Sequence, residues 1–178
     1  MLPKKQFLLT FVLFAATACG TTSAADPAPT GTAAAPGSVA ATPTPTPEAL
    51  PDGYDPARNP KSDIAAALAK AKVDKRPVLL DFGADWCPDC VVLDETVRTR
   101  RVRPIIGRFH VVAIDVGRFD RHLDLARKYH LNLRTSGIPA LVVLTRTGKI
   151  RTVTNDGSFA NARSMTPAQV AAFLKRWQ

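Results

Sequence analysis

No glycine-rich dinucleotide fingerprint and no second C-x-x-C pair occurs in this 178-residue sequence, and no internal repeat is visible. The first absence leaves nothing to bind NADPH or flavin. Histidine is scarce too, and His110, His122 and His130 stand at no ligand spacing to the cysteine pair, so no metal site is expected. Three cysteines are fewer than a disulfide-dependent secreted domain carries. Long apolar runs are missing as well. The stretch "FLLTFVLFAA" near the start is about ten residues, too short to span a bilayer as a helix.

That stretch follows Lys4 and Lys5 and precedes "TACG", the charged, apolar and small-residue order of an export signal. "AATAC" resembles the lipobox of bacterial lipoprotein signals, although Ala16 stands where Leu is commonest. The resemblance implies a signal over residues 1–18 and a lipid on Cys19, the first mature residue. An ordinary cleaved signal with a stray cysteine is the alternative. Lipidation leaves one remaining pair, whereas a free Cys19 would need an intermolecular partner. Either way the mature protein is expected outside the cytoplasm, and with the lipid it is a cell-membrane lipoprotein.

Residues 20–58 are rich in Pro, Ala, Thr and Gly, with few large apolar side chains, so residues 19–58 are expected to form a disordered tether from the lipid. Such a chain reaches roughly 35 Å on average and about 120 Å at full stretch. "TPTPTP" is open to a second reading as a glycosylated stalk. Residues 59–178 then make one domain with a single core. They hold 21 basic and 11 acidic side chains, a net +10 that favours anionic partners. The run "RTRRVRPIIGR" is read as a solvated face, and export argues against nucleic acid.

"SDIAAALAKAKV" reads as a helix capped by Ser62, with Ile64, Leu68 and Ala71 on one face and Pro77 stopping it. "VLLDFG" is a buried strand. Cys87 starts the next helix, because Pro88 fits the first helical position and Asp89 suits the positive helix end. "HVVAIDV" is a second buried strand and "RHLDLARKYH" a third helix. "ALVVLT" and "KIRTVT" flank "RTG" as a hairpin. "TPAQVAAFLKRWQ" begins with Thr166 as cap and Gln169 three residues on. The order implies a mixed sheet covered by helices on both faces.

The stretch "DFGADWCPDC" places Cys87 and Cys90 at this strand-to-helix junction. As a staple so short a ring gains only about 2 kcal/mol. As a redox pair, Cys87 sits where unpaired N–H groups and the helix dipole stabilise a thiolate. Cys90 lies one turn on, on the same face, able to resolve a mixed disulfide.

"VLLDFGADWCPDC", "VVAIDV", "LARKYHLNLRTSGIPALVVL" and "TRTGKI" together resemble the thioredoxin family across residues 60–178. The resemblance implies the thioredoxin fold, a central mixed β-sheet flanked by α-helices, and a thiol–disulfide oxidoreductase. It makes Cys87 the attacking and Cys90 the resolving cysteine. Pro139 matches the cis-proline facing the pair, with the Ile138 backbone beside it to receive an extended substrate. Asp81 matches the buried acid that accepts and returns the proton of the resolving thiol, unless it is only a buried, hydrogen-bonded carboxyl. Trp86, Pro88 and Asp89 are expected to meet substrate, Trp86 alternatively being a packed indole. No cofactor beyond the Cys87–Cys90 disulfide is implied.

Pro88-Asp89 replaces the family's Gly-Pro, and Gly83 stands where many thioredoxins have a large aromatic. The sequence is therefore similar to exported thioredoxin-like proteins and to the thioredoxin domain of membrane thiol reductases. The segment before Ile138 is a few residues longer, which would reshape the substrate groove. Asp89 is expected to raise the Cys87 pKa and lower the potential, favouring a reductase. Expected partners are disulfides or thiols of exported proteins and a membrane thiol-reductant transporter, with the protein a monomer. Two other classes stay open: a copper metallochaperone using both thiolates, and a non-catalytic interaction module.

Overall fold

The computed structural model describes residues 48–178. The expected signal, Cys19 and the tether up to residue 47 lie outside the described residues. Among the described residues no helix is long and apolar enough to cross a membrane.

Helix α1 spans Pro60–Asp74 and starts ahead of the cap expected at Ser62. Asn59 is the cap. Its side-chain oxygen accepts the N–H groups of Lys61 and Ser62, and Pro60 takes the first helical position, where a missing N–H costs nothing. Ser62 instead donates its hydroxyl to the Asn59 carbonyl at 2.9 Å. The helix ends at Lys75, in the left-handed region, before Pro77 is reached. Its buried stripe is Ile64, Ala67 and Ala71, with Leu68 only partly covered.

Four strands follow: β1 Val78–Gly83, β2 His110–Asp115, β3 Ala140–Leu144 and β4 Ile150–Val153. They lie in the order β2-β1-β3-β4; β1 pairs parallel with β2 and antiparallel with β3, and β3 pairs antiparallel with β4. The crossover from β1 to β2 holds α2 (Pro88–Arg98) and α3 (Arg103–Ile106). Between β2 and β3 come α4 (Leu123–Lys128) and α5 (Leu133–Ser136), so the long segment before Ile138 folds as a short helix capped by Asn132. Helix α6 (Pro167–Trp177) closes the chain with a full capping box between Thr166 and Gln169.

Alternation along β1 builds a core on each side of the sheet. Val78, Leu80 and Phe82 join the apolar stripe of α1. Leu79 faces the other way, into a core with Leu93 of α2 and Val170 and Leu174 of α6. Asp81 shares the face of Leu79, placed between Ala113 on β2 and Leu141 on β3. A carboxyl is thereby set into an apolar layer.

Residues 48–58, ahead of the expected domain start at residue 59, form a strap packed on the domain. Glu48 pairs with Lys70 and meets His110 Nδ1 at 2.6 Å. Leu50 packs against the second core, and the Pro51 carbonyl accepts from Arg98. Tyr54 is only 4% exposed, its N–H donating to Asp85 Oδ1 at 2.9 Å. Arg121 reaches the Pro56 carbonyl, and Arg58 pairs with Asp63. Averaged composition concealed these anchors.

Candidate active site

Strand β1 delivers the chain to a short loop, Ala84 to Trp86, and α2 begins immediately after it. Cys87 is the cap of α2, in extended conformation, with Pro88 in the first turn. The Cys90 N–H points at both the Cys87 carbonyl, 3.1 Å away, and Cys87 Sγ, 3.3 Å away. This is the unsatisfied helix-start donor put to use on sulfur. On its other side the Cys87 thiol donates to the Ile138 carbonyl at 3.6 Å, beside a cis Ile138–Pro139 peptide. Both cysteines are free thiols; Cys87 is almost buried and Cys90 fully so.

Burial pushes the Cys90 thiol well above its ordinary value, and the bond to Cys87 and the Asp81 charge add to the rise. Left alone it would hold its proton at neutral pH. Asp81 itself is pushed up to about 7 by burial, with the Tyr54 phenol pulling it back and the Asp94 charge adding slightly to the rise. Tyr54 Oη and Asp81 Oδ1 are both buried, and neither has a hydrogen-bond partner among the described residues. The phenol is near enough to act on the carboxyl without reaching bonding geometry.

The other expected site residues separate into two groups. Trp86 stays near the surface at 46% exposure, its indole N–H donating to the Gly117 carbonyl at 2.8 Å. Pro88 is exposed, and the Ile138 side chain is buried with its carbonyl turned to the thiol. Asp89 departs from expectation. It is turned inward, 8% exposed, accepting the Arg163 N–H at 3.0 Å and the guanidinium Nε at 3.2 Å. Arg163 lies in a 3₁₀ turn, Ala162–Ser164, far along the chain. A carboxylate held there cannot serve as a free contact surface, and part of its charge is offset.

Sequence reasoning passed over Tyr54, Arg118, Phe119 and Arg163. Phe119 packs edge-on to Trp86 with ring centres 6.3 Å apart, and the Arg118 guanidinium lies 5.4 Å from the indole centre. The signal for Tyr54 was a lone aromatic in a stretch of small residues, together with the unusual Gly83. Among the described residues no group of three or more His, Cys, Asp or Glu is placed to hold a metal ion.

With this geometry the chain can pass two electrons between a dithiol and an external disulfide, with a titratable acid behind the inner sulfur. Comparison with known proteins gives the same chemistry. A family model described as thioredoxin-like matches residues 59–170. A disulphide isomerase from Xylella fastidiosa Temecula1 is 40% identical, covers 72% of this chain and 98% of its own, and superposes with a TM-score of 0.67. The oxidised DsbD C-terminal domain of Neisseria meningitidis is 21% identical over 67% of this chain and 97% of that one, with a TM-score of 0.50, a likeness of fold. No curated protein matches.

Proposed function

The chain belongs to the thioredoxin-like family of thiol–disulfide oxidoreductases, and from that premise we propose that it is an exported, membrane-anchored reductant of protein disulfides. The Cys87 thiolate attacks a substrate disulfide, one substrate thiolate leaves, and a mixed disulfide forms. Cys90 gives its proton to the Asp81 carboxylate and attacks Cys87 Sγ. The second substrate thiolate then leaves, the Cys87–Cys90 disulfide closes, and the substrate has gained two electrons. A membrane thiol reductant restores the dithiol. Pro139, Ile138, Trp86 and Pro88 border the sulfur and receive the substrate chain.

The observation that carries the direction is the surroundings of Cys87 Sγ. It accepts the Cys90 N–H and donates to the Ile138 carbonyl, with no cationic side chain bonded to it among the described residues. Nothing in these surroundings singles out the reduced form for the special stability that a strongly oxidising pair requires. Asp89 contributes less than its sequence position promised, because Arg163 offsets it. Export and anchoring are supported by Lys4, Lys5, the apolar stretch and Cys19.

The test is a titration of the Cys87–Cys90 potential against thiol buffers with zinc and copper excluded. A value near or below roughly −230 mV supports an electron donor, and one near about −120 mV identifies an oxidant and rejects the reading. Radiolabelled lipid incorporation at Cys19, lost in Cys19→Ser, tests the anchor.

A further inference from the structure

Tyr54 lies upstream of the residues matched by the family model, yet its ring is in the innermost part of the site. A Cβ built on Gly83 would meet Tyr54 Cζ at 2.3 Å and Oη at 2.6 Å, so the missing side chain of β1 is what admits the phenol. Asp81 is two residues earlier on the same face of β1. A buried hydroxyl without a partner is costly, and a phenylalanine would fill the notch without that cost. The hydroxyl therefore calls for a use. The unpartnered oxygen of Asp81 is adjacent.

We propose that Tyr54 is a positioning residue of the dithiol reaction, carried in by the strap so that its phenol donates to the Asp81 carboxylate while that group waits for the Cys90 proton. The inference rests on the proposed role of Asp81 as acceptor. In the step, the proton leaves Cys90 Sγ for Asp81, the freed sulfur electron pair forms the bond to Cys87 Sγ, and the substrate sulfur departs with the pair of the broken bond. Tyr54 keeps its own proton throughout. When Asp81 is ionised the phenol holds it; once Asp81 is neutral that hold weakens.

The titratable groups facing Asp81 are few. Tyr54 comes from the strap, and Cys90 and Asp94 come from α2, with Asp94 paired to Arg98. A cavity of about 30 Å³ beside the carboxyl is otherwise lined by apolar residues, among them Leu79 of β1, Ala113 of β2, Leu141 of β3 and Leu174 of α6. Among the described residues no other side chain lining that cavity can donate to the carboxylate, and the Cys90 thiol is the group it is to deprotonate.

The test uses the full-length chain in detergent, with Cys19→Ser so that only the pair reacts with a chromogenic aromatic disulfide. Coloured thiolate is released once when Cys87 attacks and again when Cys90 displaces the second half. Tyr54→Phe keeps the ring in its notch. Its second phase should shift upward in pH by about one unit, a slowing of roughly five-fold at pH 7, with the first phase unchanged. In an Asp81→Asn background, itself slow in the second phase, Tyr54→Phe should add nothing. A normal second phase in Tyr54→Phe with a slow one in Asp81→Asn overturns the role of Tyr54 alone. A normal second phase in Asp81→Asn overturns the acceptor role of Asp81 and this inference with it.

Discussion

The ring of Tyr54 occupies the space that any side chain at position 83 would need, its Cζ 2.3 Å from where a Cβ would stand. Gly83→Ala should therefore cost about 1–3 kcal/mol through overpacking, and Tyr54→Ala about 3–5 kcal/mol through the cavity it leaves. Because each change relieves the other, the double variant should be more stable than the sum of the two losses implies. Urea unfolding of the four proteins measures the coupling. Strict additivity would mean that the ring and the glycine do not share this space.

Asp81 makes stability depend on pH in a stated direction. Its folded pKa, about 7, lies above its ordinary value of 3.8, so between these values the folded state binds more protons than the unfolded one. Stability contributed by this group is fully present below about pH 4 and lost as pH rises through 7. Asp81→Asn should remove that loss and stabilise the protein at pH 8 by a few kcal/mol, at most about 4. Chemical denaturation at pH 5 and pH 8 checks it; a variant less stable at pH 8 contradicts the assignment.

The strap predicts where the chain can be shortened. A chain shortened to begin at residue 48 keeps every strap contact described above and is the reference. Removing residues up to 58 takes away Tyr54 and Leu50 and should cost at least about 3 kcal/mol, from the lost ring alone. Equal melting temperatures for the two truncations would show that the strap contributes nothing.

Asp89 is tied to the Arg163 backbone as well as to its guanidinium. Asp89→Ala leaves a backbone N–H without its acceptor, a cost of roughly 1–2 kcal/mol in urea unfolding. It also leaves Arg163 unopposed near the start of α2, which favours a thiolate at Cys87. The reduction potential should rise, by about 10–30 mV. A fall in potential would reverse the electrostatic argument.

The order of strands and helices was legible because each element carries its own signal. Near-continuous apolar runs marked β1 and β2, Pro88 marked the start of α2, and Thr166 with Gln169 marked α6. Asp81 was marked as a buried acid by the resemblance to the thioredoxin family, and the structure sets it opposite the face of Leu80 and Phe82. Contacts between distant segments were not legible. Asn59 and Ser62 are both able caps, and Pro60 after Asn59 decides between them. Asp89 looked like a solvent-facing acid of a first helical turn, since Arg163 is 74 residues away in sequence. Tyr54 was lost within a composition average, although it is one of only two tyrosines in the chain.

The strap also sets a path for mechanical load. Glu48, its first described residue, is clamped to Lys70 of α1 and His110 of β2 before the chain reaches Leu50, Pro51 and Tyr54. A pull arriving from the N-terminal side is taken up first by this clamp and spread into a helix and a strand. The ring beside Asp81 bears force only after the clamp has failed.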